Sequence, residues 1–139
     1  MPPRAPAISL DSLRQAAARV AGELHCRLVL LFGSATRGPS PEDLDVGLLG
    51  EGALELVAAT NALTRTLGTQ AVEVVDLARA DPLLLMLAAR DGVALYERSP
   101  GEFARFASLA ARRYADTRKF REAERQEVRD FIARADRRR

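Results

Sequence analysis

The chain has 139 residues, of which 47% are hydrophobic and 29% charged; that suffices for one hydrophobic core and excludes a disordered chain. One cysteine, Cys26, excludes an internal disulfide. No apolar run approaches the ~18–20 residues of a membrane-spanning helix, so a reducing, cytoplasmic setting without membrane contact is expected. The net charge of +2 divides unevenly, because residues 101–139 carry 12 Arg/Lys against 7 Asp/Glu. That basic end reads as a solvated helix surface. Trp is absent and 5% of residues are aromatic, too few for a base-stacking platform, so nucleic acid is not expected as a partner.

Residues 1–8 form a proline-rich lead. Ser9 or Asp11 can cap a helix through about Leu24, with Leu10, Leu13, Ala17, Val20, Ala21 and Leu24 on one face. Arg27 to Phe32 is almost wholly apolar and suits a strand buried on both faces. Gly33-Ser34 ends it, and a turn-rich connection with Gly38, Pro39 and Pro41 follows. Asp43 to Leu49 reads as a second strand, residues 53–67 as a helix closed by Gly68, and Ala71 to Leu77 as a third strand. Asp81-Pro82 opens a short apolar helix over 83–90, and Val93 to Tyr96 forms a last short strand. Ser99-Pro-Gly-Glu102 fits a capping box. Beyond it Phe103, Phe106, Ala110 and Tyr114 form one helical stripe, and Phe120, Val128, Phe131 and Ile132 a weaker one. One uninterrupted helix there would reach ~55 Å, so a break near Asp116-Thr117 is expected. The order predicts an α/β fold, a small mixed sheet flanked by helices with a C-terminal helical segment.

The chemistry concentrates in two short stretches. Residues i and i+2 of a strand share a face, so Asp43 and Asp45 project together while Leu44 and Val46 enter the core. Two adjacent carboxylates repel unless a divalent cation or water lies between them, and Mg²⁺ prefers such oxygen ligands. Gly33 lets the backbone turn and approach a ligand, while the Ser34 hydroxyl and following N–H groups can hold phosphate oxygens. Arg37 can reach a phosphate from the same turn. A third acid would complete such a site, and Glu73 and Asp76 are the two candidates. They face opposite ways on a regular strand. If the 53–67 helix is a crossover, the third strand runs parallel to the second, and Glu73 matches the depth of the Asp pair. His25 has no evident partner, and Cys26 reads as a small core residue.

Gly33-Ser34, Asp43-x-Asp45 and the downstream acid together resemble the signature of the nucleotidyltransferase superfamily that includes DNA polymerase β. In its smallest form the pattern resembles MNT-type minimal nucleotidyltransferases, antitoxins that pair with HEPN-domain toxins. The resemblance covers about residues 9–97 and implies a nucleotidyltransferase core over 1–97 with a helical extension over 98–139 packed on it. It implies that Gly33 and Ser34 hold the triphosphate, that Asp43, Asp45 and Glu73 bind Mg²⁺ (two ions), and that ATP is the substrate. It further implies AMP transfer to a tyrosine hydroxyl of a HEPN-type toxin. Relative to that pattern the loop between Ser34 and Asp43 is short, and Glu42 stands where a small residue is usual. Two alternatives follow. One is a small-molecule adenylyltransferase. The other is a nucleotidyltransferase-fold binding module that neutralises a partner by occlusion, with Phe103, Phe106 and Tyr114 at the interface.

Overall fold

The computed structural model describes residues 8–33 and 44–137. Ser9 caps α1 (Leu10–Leu24), its hydroxyl accepting from the Ser12 N–H. The helix ends at His25, whose left-handed backbone lets its N–H reach the Ala21 carbonyl, so the one histidine closes a helix. The apolar run then becomes β1 (Cys26–Phe32). It is buried on both faces as expected, with Val29 and Leu31 on one side and Leu28, Leu30 and Phe32 on the other.

β2 (Leu44–Gly50) runs antiparallel to β1. Glu55 starts α2 (Leu56–Leu67), three residues later than the pattern suggested, because its carboxylate accepts from the Val57 and Ala58 N–H groups. Gly68 closes that helix. α2 is the crossover to β3 (Val72–Asp76), which pairs parallel to β2. Asp81 caps α3 (Pro82–Asp91), and β4 (Val93–Glu97) returns antiparallel along the free side of β1. The strand order is β3-β2-β1-β4. α1 and α2 cover one face of this mixed sheet, α3 and α4 (Glu102–Asp116) the other.

The start of α4 departs from the expected capping box. The cap residue is Gly101, which offers no side chain. Ser99 donates its hydroxyl to Glu102 at 3.2 Å, and the Glu102 carboxylate turns inward to Arg27 at 3.1 Å and Arg105 at 3.2 Å. A buried carboxylate among guanidiniums gains more there than from a backbone N–H that water can serve.

The break falls where expected, at Thr117, before α5 (Arg118–Arg137). Arg121 fixes the joint by stacking 3.9 Å over the Tyr114 ring and donating to its hydroxyl at 2.9 Å. Phe106 and Ala110 of the first stripe are buried, so Phe106 serves the core and not an interface. α5 buries no residue, and Phe120 and Phe131 stand 72% and 70% exposed. No described helix is long and apolar enough to cross a membrane.

Two measurements probe this packing. A methyl at Gly47 would lie 2.9 Å from Leu77 Cδ2, inside the packed sheet face. Gly47→Ala is therefore expected to cost about 1–3 kcal/mol in denaturant unfolding, and an unchanged midpoint would mean that Leu77 yields freely. Cys26 is 2% exposed. Burial, and then the charge of Asp76, push its thiol up to about 11. At pH 8 only about a thousandth is thiolate, against roughly a quarter for a free cysteine. The native protein should react with a disulfide reagent at least ~100-fold more slowly than the denatured chain; equal rates would place the thiol in solvent.

Candidate active site

β1 ends at Gly33, whose φ of 75° lies in the left-handed region. Glycine is required there twice over. Other residues are strained at that angle, and a Cβ would collide with the Asp45 carboxylate. Gly33 at the end of β1 therefore lies directly against Asp45, the first described acid of β2.

Sheet register brings the third acid alongside. Asp45 is opposite Phe32 on β1 and opposite Glu73 on β3. Paired residues on adjacent strands share a face, about 4.8 Å apart. Asp45 and Glu73 thus lie on the face that carries Phe32, while Leu44, Val46 and Val74 enter the core on the other. The Leu44 N–H bonds to the Ala71 carbonyl at 2.8 Å, so β3 is already aligned with β2 at this end. Asp45 is half-buried and Glu73 exposed, so the pair opens to solvent at the edge of the sheet.

Asp76 lies elsewhere. It pairs with Leu48, three positions further along β2, and by alternation it faces the opposite side. Its carboxylate accepts from the Ala78 N–H at 3.0 Å and lies 4.0 Å from Arg79, so it shapes the turn after β3. Its charge acts on Cys26, at the far end of β1 from Gly33.

Ser34, Arg37, Glu42 and Asp43 lie outside the described residues. Among the described residues no three of His, Cys, Asp and Glu come together as a metal ligand set; the expected set includes Asp43. Glu102 is the polar residue that sequence reading misassigned. Its signal was Arg27, the one charge in an otherwise apolar strand, which needs a buried counter-ion.

No protein-family model matches the chain. No curated protein matches it either. Solved structures do. A chain from a toxin–antitoxin complex with AMP-PNP superposes with a TM-score of 0.66 at 21% identity, covering 86% of this chain and 98% of that one. A chain from the tri-AMPylated Shewanella oneidensis HEPN toxin in complex with MNT antitoxin gives 0.64 at 21%, covering 90% and 99%. One from the MntA–HepT toxin–antitoxin complex gives 0.61 at 21%, covering 87% and 97%. At such identities the likeness is one of fold, and the chain therefore has the nucleotidyltransferase-like α/β fold of these structures.

Proposed function

We propose that the chain is a nucleotidyltransferase antitoxin that moves AMP from ATP to a tyrosine hydroxyl of a HEPN-type toxin. The observation that carries this reading is Gly33, in a left-handed conformation, seated on Asp45, with Glu73 in register beside it. Paired carboxylates suit a divalent cation, and a cation held there would in turn neutralise a triphosphate lying against the glycine. Two of the similar structures add support, because one is a toxin described as AMPylated and the other contains AMP-PNP.

In this reading residues 1–97 are the catalytic core and 98–139 a helical extension. Gly33, Ser34 and Arg37 hold the triphosphate. Asp43, Asp45 and Glu73 hold Mg²⁺, for which carboxylate oxygens on adjacent strands are fitting donors. When bound, Mg²⁺ lowers the pKa of the attacking hydroxyl and offsets charge on the leaving pyrophosphate. The chain itself aligns the tyrosine oxygen with the α-phosphorus. The new P–O bond forms as the bond to pyrophosphate breaks, and the hydroxyl proton passes to Glu73 or to water.

The test is incubation of the protein with ATP, Mg²⁺ and a HEPN-type toxin, followed by mass spectrometry of the toxin. AMP on a tyrosine, dependent on Mg²⁺, is expected. A toxin silenced without modification would reject transfer and favour occlusion, for which the exposed apolar stripe of α5 is the supporting observation.

A further inference from the structure

The sheet face that carries Asp45 and Glu73 continues past Gly47 and Val75 to Leu49 and Leu77. Leu49 is four residues beyond Asp45, ~13 Å along the strand. There the face meets a partly enclosed cavity of about 190 Å³ under α4, lined by Arg27, Arg105, Arg113, Leu49, Leu77 and Leu109 among others. The volume is that of roughly six waters.

Its charges do not balance. Three guanidiniums meet one carboxylate, that of Glu102. Glu102 already accepts from Ser99, Arg27 and Arg105. Arg113 has no hydrogen-bond or ion-pair partner among the described residues. Arg27 gives one outer nitrogen to Glu102, and its buried Nε finds no acceptor. Nε has no open surface, so a ligand would meet Arg27 through its outer nitrogens, on a side chain 37% exposed. The remaining wall is apolar and makes no demand on a polar guest.

We propose that this cavity binds a small organic anion, with one oxyanion head between Arg27, Arg105 and Arg113 and a short apolar body against Leu49, Leu77 and Leu109. A guanidinium presents five donors in a planar fork that matches a carboxylate or phosphate edge, and several forks around one head restore the charge balance. The site uses none of the residues assigned to nucleotidyl transfer, so it stands or falls separately from that activity.

Benzoate and inorganic phosphate are the probes, each titrated into the full chain at constant ionic strength set with chloride. Thermal melting and arginine side-chain ¹⁵N–¹H spectra are the readouts. Benzoate should raise the melting temperature saturably and shift the Arg113 Nε–H resonance. Arg113→Gln, which breaks no hydrogen bond or ion pair among the described residues, should melt like wild type without ligand and bind benzoate at least ~5-fold more weakly. Leu109→Ser should weaken benzoate while leaving phosphate unchanged. The proposal is overturned if benzoate has no saturable effect, if Arg113→Gln binds it as well as wild type, or if phosphate equals benzoate in affinity.

Discussion

On the proposed function, Asp45→Asn is expected to lower AMP transfer by ~10²–10³-fold, the loss typical of one preorganised charge-stabilising group, while the fold stays intact. Asn keeps the size and one oxygen but loses the negative charge with which the carboxylate would hold the proposed cation. Asp45 is half-buried at a strand end, so its neutralisation spares the core. Glu73→Gln should behave alike, since Glu73 lies in register on the same face. Asp76→Asn is the internal control. Its carboxylate bonds to the turn at Ala78 and lies on the other face, so activity should stay within about threefold. Gly33→Ala combines both costs, an unfavourable φ and a methyl driven into the Asp45 carboxylate, and should lose transfer as completely as Asp45→Asn. Toxin labelling by ATP under single-turnover conditions measures all four. Full activity in Asp45→Asn, or equal losses in Glu73→Gln and Asp76→Asn, would refute the assigned roles.

The elements that local chemistry dictates were legible in the sequence. Ser9, Gly68 and Asp81-Pro82 satisfy orphan backbone groups wherever they occur, so they mark helix ends without knowledge of the fold. The apolar run of β1 reads as buried on both faces because no polar residue alternates through it. The parallel pairing of β2 and β3 followed from a helix long enough to cross over between them, and it carried Glu73 to Asp45. Less legible was whatever depends on contacts distant in sequence. The insertion of β1 between β2 and β4 is set by packing on both faces and by no local motif. The spacing Ser99-x-x-Glu102 is that of a capping box, yet Arg27, 75 residues away, draws the carboxylate inward. The weak stripe of α5 has helical spacing, but spacing does not reveal whether anything covers it, and among the described residues nothing does.

Glu102 should prove to be the most sensitive polar position for stability. Removing one member of a buried ion pair typically costs 3–5 kcal/mol, but Arg27 and Arg105 are partly exposed and can rehydrate, so Glu102→Gln is expected to cost about 2–3 kcal/mol. The pH dependence separates charge from packing. Burial raises the carboxyl's pKa, but the hydrogen bonds from Arg105 and Ser99 and the charge and hydrogen bond of Arg27 outweigh it, and the net shift is below the ordinary 4.5. A carboxyl whose pKa is lowered on folding binds fewer protons in the native state than in the unfolded one. Its stabilisation is therefore complete above about pH 5 and fades as pH falls through the lowered value. The gap in unfolding free energy between wild type and Glu102→Gln should thus be flat from neutral pH to about pH 5 and close below it. Denaturant titrations at successive pH values would show this. A gap that widened in acid would mean that burial dominates and the carboxyl is held protonated. A gap unchanged by pH would assign the loss to shape alone, and the guanidiniums around Glu102 would then be neighbours without consequence for folding.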